Sequence, residues 1–350
     1  MKVHYKTLLA VLCFACIAIL IASCKSKIET IAFAKDNTTA SDSEKTVHNF
    51  KKYNELHVLT QFGSYDDKME YWNNYLLSSV QKDTVIKAVK RHKKRMCSVF
   101  FTTNNTGVTY HCQNFDFPQS GILVGSYNAP GKFKSVALVR MSDISYFPPN
   151  FDFTTMTDMQ KSFLPFFAYY PIDGINEYGF SVSVAGTDIH NVTDTKGRKG
   201  VYITYLNRLM LDSCKTVADA LEFVNKYYYF DHEGLAVSNH ILVADKLGNS
   251  AIIEYGKDGK MQFLVKKNEN LVMTNNDVIG VDSSQITCVR YKAVSKELAA
   301  QPVKKYTDCM SILSSVENKT LWSVVMDNKT STGYIALKGK FDHFYKFSLK

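Results

Sequence analysis

The polar and apolar positions of this chain fall into short runs of two kinds. Short runs rich in β-branched, aromatic and aliphatic residues, bounded by turn signals, predict strands. They occur at Ser98 to Thr103, Val108 to Gln113, Ser135 to Arg140, Ser181 to Ala185, His240 to Ala244, Ser250 to Tyr255 and Met261 to Val265. Leu271 to Asn276 is a further strand that ends in amides, and Leu321 to Val325, Gly333 to Leu337 and Tyr345 to Leu349 follow it. Helical spacing covers Val201 to Leu211, Thr216 to Tyr227, Cys288 to Leu298 and Ser311 to Val316. The second of these opens with Thr216-Val217-Ala218-Asp219, which has the form of a capping box, and Val217, Leu221, Phe223 and Val224 give it an apolar face. Turn chemistry punctuates the runs at Asn104-Asn105-Thr106-Gly107, Asp173 to Gly179, Asp245 to Asn249 and Lys257 to Lys260. This pattern alone establishes a mixed α and β class. His240, alone at a strand start, reads as a satisfied structural histidine in preference to a base.

Upstream of residue 97 the character changes. Met1 to Lys6 is basic, and Thr7 to Ala22 is apolar but short for a membrane span. Residues 24–50 are polar and read as a tether. Residues 51–96 are too aromatic for a linker, with Leu59 to Tyr65 and Tyr71-Trp72, and Asp83 to Arg95 carries the spacing of a short helix. Beyond the hairpin of residues 98–113, Pro148-Pro149 and Pro165 mark a loop bearing Phe151, Phe153, Phe163, Phe166 and Phe167, which either lines an apolar pocket or belongs to the core.

The net charge of +9 suggests a nucleic-acid partner until it is located. Cys97 to Lys350 holds 26 basic and 24 acidic residues, so the excess lies upstream and argues against nucleic acid. Beyond the leader no Cys-x-x-Cys or Cys/His ligand spacing occurs, which argues against a metal, and no motif calls for a cofactor. Cys112, Cys214, Cys288 and Cys309 read as small buried hydrophobes, with a disulfide among them left open.

The candidate chemistry sits between Cys97 and Asp116. The two runs of the hairpin bring a thiol at the start of one strand near a carboxylate at the end of its partner. Residues 91–96, Arg-His-Lys-Lys-Arg-Met, form a basic lead that suits a cut site. A cut before Cys97 gives that residue a free α-amine, with a pKa of roughly 7.7–8.0 in model peptides. One residue then supplies both nucleophile and base.

Cys97 followed by Gln113-Asn114-Phe115-Asp116 resembles the N-terminal-nucleophile cysteine hydrolases: choloylglycine hydrolases, penicillin V acylase, acid ceramidase and the isopenicillin N acyltransferase relatives. Asp173 to Gly179, Thr274-Asn275 and Arg290 match in order and spacing. Gln113 stands where the family has arginine. The resemblance implies a four-layer αββα sandwich of α+β class over residues 97–350, with 51–96 as prosegment or small subunit. It implies hydrolysis of linear amides in N-acyl compounds through a thioester on Cys97. Asp116 would fix the α-amine, Asn275 and a main-chain N–H near Gly186 would hold the oxyanion, and Arg290 would lower the thiol pKa or hold the pocket. Gln113 and Asn114 would contact substrate. Acyl transfer through the same thioester, or acyl-ligand binding without turnover, are the alternatives, and a homo-oligomer stays open. Separately, Ile21-Ala22-Ser23-Cys24 resembles a bacterial lipoprotein box. That implies a signal peptide over residues 1–23 and a lipid on Cys24 that anchors the protein to a membrane of the cell envelope. The other reading is a secretory signal with a chance cysteine.

Overall fold

The computed structural model describes residues 26–35, 47–53, 55–82, 97–117, 120–143, 155–231 and 235–350. Cys24, the basic lead 91–96, the helix expected within 83–95, and Phe151 and Phe153 lie outside the described residues.

Two sheets form the centre. The first has seven strands in the order β1 (Lys27–Thr30), β18 (His343–Ser348), β17 (Thr332–Leu337), β16 (Thr320–Asp327), β5 (Thr109–Asp116), β4 (Ser98–Thr103) and β15 (Leu271–Met273). The second has nine: β14 (Met261–Lys267), β13 (Asn249–Tyr255), β12 (Ala236–Ala244), β9 (Ser181–Asn191), β8 (Asp173–Asn176), β7 (Ser135–Arg140), β6 (Ile122–Asn128), β3 (Leu56–Phe62) and β2 (Val47–Tyr53). A short parallel pair, β10 (Lys199–Tyr202) and β11 (Tyr227–Phe230), lies apart. Among the described residues there are six α-helices: α1 (Asp66–Lys82), α2 (Asp158–Ser162), α3 (Ile203–Ser213), α4 (Val217–Val224), α5 (Val289–Ala300) and α6 (Tyr306–Ser315).

The buried side chains divide into three cores that define four layers. Val99, Phe101, Trp322 and Val324 of the first sheet meet Val124, Leu138, Ile175 and Ile252 of the second between the sheets. Val294 and Leu298 of α5 and Leu313 of α6 cover the outer face of the first sheet. Met69 of α1, Leu206 and Met210 of α3 and Val224 of α4 cover the outer face of the second. This is the αββα sandwich, with each sheet burying one face on its partner and one on helices. Among the described residues no helix is long and apolar enough to cross a membrane.

Local chemistry explains the element borders. At the hairpin tip Asn104 accepts hydrogen bonds from the Thr106 and Val108 amides at 3.0 and 2.8 Å. Gly107 adopts φ +74°, which a side chain would resist. Asn176 does the same at its turn, accepting from the Tyr178 and Phe180 amides at 3.1 Å each. The capping box of α4 is present, with the Asp219 amide 3.1 Å from the Thr216 hydroxyl. The first expected helix is displaced two residues along the chain and the second is shorter than its spacing predicts, because Lys199–Tyr202 and Tyr227–Phe230 pair with each other as strands on either side of them. Phe163, Phe166 and Phe167 of the aromatic loop join the core beneath α1, where Phe166 meets Trp72 edge-on at 5.5 Å.

The stretch before Cys97 is woven into both sheets. β1 pairs parallel with β18 at the edge of the first sheet. β2 and β3 extend the second, with β3 parallel to β6 and buried at all seven positions. Residues within the expected tether thus supply β1 and the start of β2. Since Leu59 is fully buried, Leu59→Ala is expected to cost about 2–5 kcal/mol of stability, read from the midpoint of a urea melt.

Candidate active site

Cys97 immediately precedes β4, the strand between β5 and β15 in the first sheet. The register Ser98↔Asn114 puts Phe115 opposite Cys97 and Asp116 one step further, toward the N-terminal side of the cysteine. Cys97 is buried, at 2% exposure, and forms part of the wall of a cavity of about 200 Å³. Gly186 of β9 lies on the same cavity, and its carbonyl accepts the Asn275 Nδ2 hydrogen bond at 2.8 Å.

Arg290, at the second position of α5, gathers these parts. It donates Nη1 to the Cys97 carbonyl and, at 3.1 Å, to the Ser98 hydroxyl. Nη2 donates to Asn275 Oδ1 at 3.0 Å. A planar guanidinium with donors fixed in a fork suits this task, since it holds two chain segments at one mutual distance. These bonds orient the main chain around the nucleophile. Asn275 has a second Nδ2 hydrogen beyond the one given to Gly186.

Asp116 is buried, with Oδ1 accepting the Thr320 hydroxyl. Its Oδ2 is buried without a partner among the described residues. Burial pushes its carboxyl up to about 7, against the opposing pull of the Thr320 hydrogen bond and the Arg290 charge.

Gln113 and Asn114 are held within the fold and are not among the residues that line the cavity. Gln113 points between the sheets and donates Nε2 to the Val184 carbonyl at 2.9 Å. A neutral amide fits this fully buried place, where a guanidinium would need an anion. Asn114 faces the helical side, donating to the Leu313 carbonyl of α6 at 2.8 Å and accepting from Ser323 at 2.7 Å. Of the four cysteines read as buried hydrophobes, Cys112, Cys214 and Cys309 are buried; Cys288 is half-buried because it lies in the loop that opens α5, and all four are free thiols.

The wall facing Cys97 is apolar and aromatic. Phe115, backed by Trp322 at 4.3 Å and stacked with Phe117 at 5.7 Å, forms one side. Tyr170, Ile172, Val184 and Tyr202 form the other. The charged lining residues are Arg140, Asp143 and Asp231. Arg140 lies 3.5 Å over the Phe117 ring and donates Nε to Asp143 at 2.7 Å, so the two charges offset each other. Asp231 accepts the Ser238 amide at 2.9 Å. Sequence reasoning missed this wall. Its one signal was Arg140 with Asp143 three residues later at the end of a strand.

Residues 137–340 match the family described as acyl-coenzyme A:6-aminopenicillanic acid acyl-transferase, which is more than half of the 350 residues. The chain belongs to this family. The span matched to the acyl-transferase family includes Gly186, Asn275 and Arg290 and begins after the hairpin that carries Cys97. Among solved structures, a mutant of the conjugated bile acid hydrolase from Clostridium perfringens is similar at 13% identity and a TM-score of 0.51, over 73% of this chain and 92% of that one. Penicillin V acylase from Agrobacterium tumefaciens is similar at 18% identity and a TM-score of 0.48, over 69% of this chain and 83% of that one. The bile acid hydrolase likeness places this acyl-transferase family member in the N-terminal-nucleophile hydrolase fold. Comparison with curated protein sequences gives no match.

The buried carboxyl sets a pH dependence. An acid with its pKa raised from 3.8 to about 7 binds more protons folded than unfolded between those values. Its contribution to stability therefore falls as pH rises through that window. In a chain still joined before Cys97, wild type is expected to lose stability relative to Asp116→Asn between pH 4.5 and pH 7.5, measured by urea melts at the two values.

Proposed function

We propose that this protein hydrolyses linear amides of N-acyl compounds, with Cys97 as an N-terminal nucleophile. The observation that carries the reading is the hydrogen-bonded assembly of Cys97, Asn275, Gly186 and Arg290, of which Cys97 and Gly186 lie on the wall of a cavity with aromatic and aliphatic side chains. After a cut before Cys97, its α-amine takes the thiol proton as Sγ attacks the amide carbonyl. The C–N bond breaks, the proton leaves with the amine, and the acyl group stays on sulfur as a thioester. Water then attacks the thioester and returns the thiol. Asn275, with a main-chain N–H near Gly186, faces the developing oxyanion, a contact typically worth about 2.7–4 kcal/mol of barrier. Asp116 pairs with the new ammonium, which satisfies its orphaned Oδ2 and draws its pKa down.

The cavity supports a compact, uncharged, apolar acyl group. At about 200 Å³ it falls below the roughly 300–1,000 Å³ typical of pockets that enclose a drug-sized ligand. Its one cation, Arg140, is already committed to Asp143. The leader and Cys24 support a lipid-anchored protein of a bacterial envelope, so that the soluble domain works at a membrane face. A second reading, acyl transfer, is favoured by the family match, since the same thioester can pass its acyl group to an amine.

Wild type and Cys97→Ala are to be offered N-acyl amides bearing short aliphatic, phenyl-substituted or steroid acyl groups. Acid-quenched wild type is expected to carry the acyl mass on the peptide that begins at Cys97, most with the compact apolar groups. Cys97→Ala is expected to lose at least about 10³-fold in kcat. Preferred steroid turnover would contradict the cavity argument, and no adduct with any substrate would contradict the amidase. Capture of the acyl group by an added amine in place of water would establish transfer.

A further inference from the structure

Behind Asn275 lies a buried pair that the chemistry above does not use. His240 of β12 and Glu254 of β13 are cross-strand neighbours with side chains 0% and 2% exposed. His240 Nε2 donates to the Thr274 carbonyl at 2.7 Å. A carbonyl only accepts, so this nitrogen carries a hydrogen. Nδ1 lies 3.0 Å from Glu254 Oε2. Glu254 Oε1 also accepts the main-chain amides of Val278 at 3.0 Å and Ile279 at 2.6 Å.

These bonds grip both ends of one short loop. Thr274, whose carbonyl His240 binds, is the residue before Asn275. Val278 and Ile279, whose amides Glu254 binds, close the loop on its other side. The middle is tied separately to β9, where Asp277 accepts the Thr187 hydroxyl at 2.7 Å and lies 3.0 Å from His190 Nε2. A buried carboxyl and imidazole are costly to desolvate, and hydrophobic residues would fill the same place between strands without that penalty. What this pair supplies that apolar packing cannot is a fixed distance between three main-chain groups of the loop.

We propose that His240 and Glu254 are positioning residues that clamp the loop 274–279 and thereby set where Asn275 meets the oxyanion. The catalytic half of this inference rests on the amidase reading; the clamp itself does not. Neither side chain touches Asn275, so both act through the loop backbone.

The test uses the full chain and two readouts. Amide hydrogen exchange reports the loop directly, and steady-state kinetics report its consequence. In His240→Leu, exchange within 274–279 is expected to quicken at least tenfold while the rest of the sheets stay protected. kcat is expected to fall on the order of 10²-fold, as for loss of one oxyanion donor, with KM within threefold of wild type. His240→Gln keeps a donor toward Thr274 and is expected to recover much of both. Glu254→Leu, which removes the acceptor for both amides, gives a second reading should the His240 leucine variant fail to fold; its loosening is expected at Val278 and Ile279. Unchanged exchange in the loop of a folded variant, or loosening spread evenly through both sheets, overturns the clamp. A loosened loop with kcat unchanged overturns its catalytic role. Wild type without turnover overturns the amidase reading, and the exchange data then still decide the clamp.

Discussion

The Arg290 guanidinium binds the Cys97 carbonyl, the Ser98 hydroxyl and the Asn275 side chain together, and the geometry of the site depends on this grip. Cys97 and Ser98 lie 178 and 177 residues before Asn275, so no local preference brings the two segments together. The helix α5 is seated by Val294 and Leu298 against the outer face of the first sheet, which fixes where the arginine reaches. Asn275 in turn spans to Gly186 on the second sheet. The site is therefore built across the gap between two sheets, and the packing that sets their separation also sets the distance between nucleophile and amide donor.

Buried polar ties help to hold that separation. Trp322 of the first sheet donates Nε1 to Asp173 of the second at 2.7 Å, and Gln113 reaches the Val184 carbonyl. Burial pushes the Asp173 carboxyl up to about 7, as it does for Asp116, against the opposing pull of its hydrogen bonds from Ser183 and Trp322. The segment before Cys97 belongs to the same structure. With β3 buried inside the second sheet and β1 on the edge of the first, a single cut before Cys97 would free an α-amine without releasing the strands that precede it. Burial then holds the pieces together where the peptide bond no longer does.

Much of this was legible from residue order. The hairpin stood out because β-rich runs flank an Asn-Asn-Thr-Gly turn, and β4 begins and ends where the first run does. Asn275 and Arg290 were identified by resemblance, and the structure brings them to Cys97. β3 was not legible because a strand buried on both faces loses the alternation that betrays a half-buried one. α1 was obscured by its aromatics and paired asparagines, which have middling helix preference. The cavity wall draws Phe115, Arg140, Tyr170, Tyr202 and Asp231 from separate elements, so only the folded chain reveals it. Gln113 and Asn114 sit beside the nucleophile in register, yet alternation turns one between the sheets and the other toward α6.

The central proposal is that a cut before Cys97 makes it an N-terminal residue, with its own thiol as the group that would make the cut. The most direct test is the intact mass of purified wild type beside Cys97→Ala, under denaturing conditions. The account predicts a wild-type fragment that begins at Cys97 and an alanine variant that stays whole. Wild type that remains joined through residues 96 and 97 after acid and neutral incubation would contradict it, because Cys97 would then have no α-amine to act as its base.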